Sequence, residues 1–275
     1  MTQTVRRSRH VRRGARPVLR HGVALALVLW LIVLLGALAT GVIVATRDAT
    51  GAAANLRARA VGRYAAESGV VATVHAIDAA LARSGSDATA RRALLNGLEA
   101  ASAHAAAESL GDARFQAAVV DASARIDVNL ADADALATLF ARVGGGGEAR
   151  ATADAIRRYI GAPGIESGDI ARSALRARRA LRTLDDLARI PGVSTRLAFS
   201  AAPFLTVDGD GQVNMSAAPE PVRAAARGSL VDEPTRLVIV SRGWLAGHPL
   251  THEIQAVYAV NGTRLTFVRW RERDL

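Results

Sequence analysis

The first fifty residues restrict this chain more than anything that follows. Seven arginines (Arg6, Arg7, Arg9, Arg12, Arg13, Arg16 and Arg20) and no acidic residue precede Gly22, and an uncharged apolar run then extends from Val23 to Thr46. Roughly 20 helical residues, at about 1.5 Å rise each, cross the hydrocarbon of a bilayer, so the run is long enough to span one. A leader this basic stays on the cytoplasmic side, which predicts an N-terminus inside and an exported remainder. A secretory signal shares the basic start, but its apolar core covers only about 7 to 15 residues. Ala37-Leu38-Ala39 offers the small-x-small pattern of a signal-peptidase site, so a cleaved signal stays open as the alternative. The length of the run favours a retained anchor.

The net charge of +10 and the pI near 11.3 suggest a nucleic-acid partner. Seven of the 35 basic residues belong to the leader, however, and the remaining 28 face 25 acidic residues. That balance removes the basicity argument, and no nucleic acid is expected. The absence of cysteine excludes a disulfide framework and a thiol nucleophile. Few aromatics and many alanines point to closely packed helices.

Beyond the apolar run, residues 47 to about 83 are helix formers without proline, and Ser84-Gly85-Ser86 supplies a stop. Leu56, Ala60, Tyr64, Val70, Val74, Ile77 and Leu81 recur at three- and four-residue steps, which predicts one face packed on a sheet. Asp87 and Gly111 bracket a second helix over Ala88 to about Leu110. FQAAVVD and RIDVN, around residues 121–124, read as a short hairpin. RLVIVSRGW, HEIQAVYAV and RLTFVRW form three C-terminal strands, the first two joined across Gly247 to Pro249 and the last two by an Asn261-Gly262 hairpin turn. Strands on both sides of a helical stretch from about Asn129 to Arg227 give an α+β fold with an α-helical insertion. Gly144 to Gly147 reads as a flexible loop in that insertion. It is not a phosphate cradle, since no strand ends there and no GK[ST] follows.

Several short motifs bear on chemistry. Val128-Asn129-Leu130-Ala131-Asp132-Ala133 and Val213-Asn214-Met215-Ser216-Ala217-Ala218 form an internal repeat. Each copy follows an extended segment and precedes a helix. The asparagines suit bonds to neighbouring backbone, and Asp132 or Ser216 suits the helix cap. Ile190-Pro191-Gly192-Val193 fits the turn of a helix-hairpin-helix module, which presents amides to phosphate, except that Ser194 replaces its second glycine. Arginines 172, 176, 178, 179, 182 and 189 would add phosphate contacts, interrupted by Asp185 and Asp186. A packing turn between two helices is the plainer reading. Asp208-Gly209-Asp210-Gly211 is a fragment compatible with calcium, which takes six to eight oxygens. Asp127, Asp232 and Glu233 are the carboxylates available to complete it, and a polar turn is the simpler alternative. His75, His104, His248 and His252 lack metal-ligand spacing, and no serine sits in a nucleophile elbow. His248 and His252 read as solvated turn residues, and no enzymatic site is expected.

The glycine placed between a basic leader and an apolar helix resembles the signal of type IV prepilins and type II secretion pseudopilins. The resemblance implies that prepilin peptidase cuts between Gly22 and Val23 and that Val23 becomes an N-methylated terminus. Most such subunits carry glutamate at the fifth mature position, where this chain has Leu27. A carboxylate in the bilayer core is costly unless paired, and in these filaments its partner is the amine of the neighbouring subunit. A tip subunit has no neighbour above it, and loss of this glutamate characterises the K-type minor pseudopilin. The two Val-Asn corners resemble that family's paired "iNlNtA" segments, and LRTLDDLARIPGVSTRLA resembles its "slxELxxvpG" segment. Its acidic, tryptophan-bearing segment reads here as ADAIRRYIGAPGIESGD, which implies a trimmed α-domain.

The fold implied is a long transmembrane and stalk helix, a pilin-like antiparallel head, and an inserted helical domain of SAM-like or helix-hairpin-helix-like kind. The expected divisions are a leader over 1–22, a transmembrane helix over 23–46, and the stalk with the first part of the head over 47–128. The insertion follows over 129–227 and the C-terminal strands over 228–275. Implied by the resemblance are a role in type II secretion at the pseudopilus tip and a location in the inner membrane with the C-terminal domain periplasmic. So are I- and J-type minor pseudopilins and other pseudopilins as partners, prepilin peptidase during maturation, and calcium at Asp208 and Asp210. The alternatives are a membrane-anchored helix-hairpin-helix DNA-binding protein and an exported protein with an uncleaved anchor.

Overall fold

A computed structural model describes residues 20–161 and 180–275. The chain divides into two compact units, Met1–Asn55 and Leu56–Leu275. The first helix, α1 (Arg20–Ser84), contributes to both. In the first unit the described part is helix alone, and every side chain from Ala24 to Asn55 is exposed. This segment is long and apolar enough to cross a membrane. Its hydroxyls are satisfied internally, since Thr40 Oγ1 donates to the carbonyl of Gly36 at 2.8 Å and Thr46 Oγ1 to that of Val42 at 2.7 Å.

In the second unit, the latter part of α1 packs on a five-stranded antiparallel sheet ordered β1-β2-β7-β8-β9. The strands are β1 (Glu108–Leu110), β2 (Ala113–Asp121), β7 (Arg236–Leu245), β8 (Thr251–Asn261) and β9 (Arg264–Asp274). The expected α+β architecture is present, and the helix ends before Gly85 as its sequence indicates.

The face of α1 against the sheet is the expected one from Val70 through Val74 and Ile77 to Leu81, and differs from it earlier in the helix. Leu56, Ala60 and Tyr64 are exposed, while Ala58, Gly62, Ala65, Ala66, Gly69 and Val70 are buried ahead of Ile77 and Leu81. Small residues form this seam because they let main chain approach main chain. A Cβ on Gly243 of β7 would collide with the carbonyl of Gly62 and the amide of Ala66, and one on Gly69 would meet Phe115 Cδ2 at 2.7 Å. Beyond the seam, Ile77 and Leu81 close a core with Val119, Leu237, Ile239 and Ile254.

Helix α2 (Ala88–Ser102) begins where expected, with Asp87 accepting from the amides of Thr89 and Ala90 at 2.9 and 3.0 Å. It stops at Ser102, short of the expected Leu110. Strand pairing overrides helix propensity here, because Leu110 pairs with Ala113 across a turn in which Gly111 takes φ 61°. The glycine therefore reverses a hairpin rather than ending a helix.

FQAAVVD and RIDVN do not form a hairpin. The Asp121 carboxylate accepts the amide of Ser123 at 2.8 Å and starts a 3₁₀ turn, Ala122–Ala124, that redirects the chain. Strand β2 pairs with β7, while β3 (Ile126–Asp127) leaves to pair in parallel with β4 (Leu205–Thr206). A second parallel pair joins β5 (Val213–Asn214) to β6 (Leu230–Val231).

Between these short strands lie α3 (Ala133–Phe140), α4 (Ala149–Ile160), a 3₁₀ segment Leu184–Arg189, α5 (Thr195–Ala201) and α6 (Glu220–Ala225). They enclose a core separate from the one under α1, centred on Leu136, Leu139, Phe140, Ile156, Leu187 and Leu197. The glycine run Gly144–Gly147 belongs to a compact π and 3₁₀ connection rather than a loose loop. A Cβ on the buried Gly145 would lie 2.7 Å from the carbonyl oxygen of Phe140.

The β8–β9 turn is shifted by one residue from the Asn261-Gly262 expectation. Asn261 pairs with Arg264, leaving Gly262 and Thr263 as the loop, with positive φ only at Gly262. Glycine at the first central position is the II′ arrangement, which spares an asparagine from adopting a left-handed backbone.

Candidate functional site

Residues 1–19 of the leader lie outside the described residues, while Gly22 and Val23 fall in the first turns of α1. Leu27 is 66% exposed on the same helix. Its environment is supplied by whatever surrounds an apolar helix, and no charge interrupts the run around it.

The two Val-Asn corners use the same residue in different ways. Asn129 clasps the main chain of one residue, with Nδ2 donating to the carbonyl of Leu181 at 3.1 Å and Oδ1 accepting its amide at 2.8 Å. Its own amide donates to Asp127 Oδ1 at 2.8 Å. Asp132 then caps α3 by accepting the amide of Ala135 at 2.7 Å. Beyond the tie to Leu181, Arg157 donates to the carbonyl of Asn129 at 3.2 Å, so this corner is bound within the helical insertion.

Asn214 is fully buried and reaches much further. Its Nδ2 donates to Asn96 Oδ1 on α2 at 2.7 Å and to Asp121 Oδ2 at the end of β2 at 2.8 Å. Oδ1 accepts the amide of Ser216 at 3.2 Å. Ser216 does not cap the following helix, whose N-cap position is Pro219 with no side-chain cap; its amide closes the turn onto Asn214 instead.

The polar chain continues from this point. Ser123 Oγ lies 2.9 Å from Thr235 Oγ1, and Thr235 Oγ1 donates to Asp210 at 3.1 Å. Burial pushes the Asp121 carboxyl above its usual range, opposed by the Asn214 donor and by main-chain amides. Burial likewise raises Asp127. It also acts to raise Glu99, but the hydrogen bonds and charge of Arg125 outweigh it and hold that carboxyl low.

Asp208 and Asp210 are brought to one loop but not to one cation. Asp208 accepts from Arg269 Nε at 2.6 Å and from Arg271 Nη2 at 2.6 Å. Asp210 accepts from Thr235 and from the amide of Gln212, and lies 3.5 Å from Arg236. Asp232 and Glu233 pair instead with Arg92 and Arg91. Carboxylates already matched by guanidinium groups do not fit a hard cation that needs six or more oxygens. Among the described residues no group of three His, Asp or Glu side chains is gathered for a metal.

Pro191 and Gly192 form a tight turn in which the amide of Val193 donates to the carbonyl of Ile190 at 3.1 Å and Gly192 has φ 91°. Ile190 and Val193 are buried in the helical core, and a Cβ on Gly192 would face Ala155 of α4 at 3.5 Å. The turn is thus used for packing. Ser194 caps α5, accepting the amide of Leu197 at 3.2 Å. Arginines 172, 176, 178 and 179 lie outside the described residues, and Arg189 pairs with Asp186.

His252 is not a solvated turn residue. It sits on β8 with its side chain 11% exposed, Nδ1 2.8 Å from Asp274 and Nε2 3.4 Å from Glu272. Strand alternation places it on the α1 side of the sheet, where burial and the two β9 carboxylates replace solvent. His248 does lie in the β7–β8 turn, where its Nδ1 accepts the amide of Leu250 at 3.3 Å.

The most consequential residues missed in the sequence are Asn96, Asp121, Arg269 and Arg271. The arginines carried a readable signal, since 269, 271 and 273 alternate on one strand face. Asn96 and Asp121 carried none, because their partner is distant in the chain.

No family model matches the sequence, and no curated protein matches it. Among solved structures, the chain is similar to one in the crystal structure of the GspK-GspI-GspJ complex from the enterotoxigenic Escherichia coli type 2 secretion system. The likeness has 11% sequence identity and a TM-score of 0.46, and covers 62% of this chain and 83% of that one. At that identity and overlap it carries no functional argument.

Proposed function

We propose that this chain is a K-type minor pseudopilin of a type II secretion apparatus, a subunit that works by assembly and not by chemistry. The observation that carries the reading is the continuous helix from Arg20 to Ser84, whose uncharged first part begins at the Gly22 junction and holds Leu27 where a filament subunit would hold glutamate. Its later part backs an antiparallel sheet in which neighbouring strands β2 and β7 are separated in sequence by the helical insertion. A bulky insertion suits a subunit that nothing stacks upon, and an apolar residue at position 27 removes the need for a partner above.

On this reading residues 1–22 are a leader removed by prepilin peptidase, Val23 is the methylated mature terminus, and 23–46 cross the inner membrane with the C-terminus periplasmic. Residues 47–128 and 228–275 build the head around an insertion over 129–227. The partners are the I- and J-type minor pseudopilins and other pseudopilins, and the role is to begin pseudopilus assembly for export across the outer membrane. The packed Pro191-Gly192 turn weighs against the DNA-binding alternative.

Mass spectrometry of the protein from cells with and without prepilin peptidase tests the reading. The expected terminus is methylated Val23 with the peptidase and Met1 without it. Met1 retained in both would sink it.

A further inference from the structure

Asparagine followed by glycine occurs twice in this chain, at Asn96-Gly97 and Asn261-Gly262. The pairing is chemically fragile. Glycine has no Cβ to obstruct the approach of its main-chain nitrogen to the preceding side-chain amide, and asparagine is among the thermolabile residues. The fold decides whether the two groups can meet, and it holds the two copies in opposite ways.

Asn96-Gly97 lies in the interior of α2, where the Gly97 amide belongs to the helical ladder. The Asn96 side chain is tied at both ends, with Nδ2 donating to the carbonyl of Asp232 at 3.0 Å and Oδ1 accepting from Asn214 at 2.7 Å. Rotating this residue to bring the Gly97 nitrogen onto its Cγ breaks the helix and the Asn214 network together.

Asn261-Gly262 stands at the tip of the β8–β9 hairpin, and residues 261–264 are all exposed. The amide of Gly262, a residue at φ 60°, has no acceptor among the described residues. The Asn261 side chain has a single tie, from Nδ2 to Thr266 Oγ1 at 2.8 Å. Rotation here releases that exposed bond and the terminal Asn261–Arg264 pair, while the rest of the β8–β9 ladder stays formed.

We propose that Asn261 is a site of spontaneous deamidation and that the fold withholds Asn96 from the same reaction. The main-chain nitrogen of Gly262 loses its proton and bonds to Asn261 Cγ, while the Cγ–Nδ2 bond breaks and ammonia departs with that proton. Water, the sole co-reactant, then opens the resulting succinimide. Attack at Cγ leaves aspartate, and attack at the main-chain carbonyl carbon leaves isoaspartate, with the chain running through the former side chain. Either product adds a negative charge at the turn, and isoaspartate also inserts an extra backbone carbon between β8 and β9. The proposal is independent of the secretion assignment.

The test incubates the detergent-solubilised full chain in heavy-oxygen water at mildly alkaline pH, folded and in urea, and maps its peptides by mass spectrometry. Expected in the folded chain is conversion of Asn261 with uptake of heavy oxygen. Asn96 should convert at least about tenfold more slowly, because it waits on local opening of α2. In urea the two should convert at comparable rates. The proposal is overturned if Asn261 survives in the folded chain while the unfolded chain converts, or if both asparagines convert equally in the folded chain. A difference that persists undiminished in urea overturns it as well, since the fold would then not be its cause. Failure here leaves the N-terminal processing result untouched.

Discussion

The corners at Asn129 and Asn214 share the Val-Asn start and the closing alanine of a six-residue segment and end with different structural duties. Asn129 closes a contact inside the helical insertion by gripping the main chain of Leu181. Asn214 joins three elements, tying β5 to α2 through Asn96 and to the end of β2 through Asp121. Local sequence set the turn at both places. What lies across from the side chain set its importance, because a buried carboxylate that loses a donor costs more than an uncharged main-chain pair that loses its partner.

Removing each side chain puts a size on that difference. Asn214→Ala leaves Asp121 and Asn96 without their donor in a buried setting, and should cost about 3 kcal/mol in equilibrium urea denaturation of the detergent-solubilised chain. A loss no larger than that of the other corner would erase the distinction. Its dependence on pH sharpens it further. Burial already raises Asp121, and the Asn214 donor opposes that rise. A carboxyl raised on folding binds its proton more tightly when folded, so stability falls as pH climbs from the unfolded value, about 3.9, through the folded one. Loss of Asn214 raises the folded value further. The deficit should therefore be small below about pH 4 and complete at neutral pH.

Asn129→Ala should cost about 1 to 2 kcal/mol, with no slope across the same acid range, since its lost partners are the uncharged main-chain groups of Leu181. A slope comparable with that of Asn214→Ala would mean that the first corner also serves a carboxylate. Asp132→Ala removes the cap of α3 and should cost about 1 kcal/mol, read in the same denaturation series. Ser216→Ala, at the polar position of the second copy, should change stability by less than about 0.5 kcal/mol, because the Asn214 bond goes to its main-chain amide. Equal effects at 132 and 216 would mean that the Ser216 side chain also serves as a cap.

Features that depend on neighbours in sequence were legible. The Asp87 and Asp132 caps, the three C-terminal strands and the end of α1 follow from short patterns whose partners lie within a few residues. The partners of Asn214 lie 93 and 118 residues away, and a single sequence contains nothing that pairs them. The early seam of α1 is hidden for another reason. Bulky Leu56 and Tyr64 carry the visible periodicity, whereas the buried line there runs through glycine and alanine. Hydrophobic size marks a face that fills space, but close approach is marked by its absence. The Asp208 loop shows a similar limit, since its counter-ions are supplied by β9.

The contact between Gly62 and Gly243 has a mechanical consequence. Where side chains separate two elements, a displacement of one can be absorbed by rotamer changes before it reaches the other. Here the carbonyl of Gly62 and the amide of Ala66 stand directly against the main chain of β7. A thrust along α1 in this region therefore passes into β7 as shear between two backbones, with little compliance in between, and the hydrogen-bonded ladder from β2 to β9 shares the load.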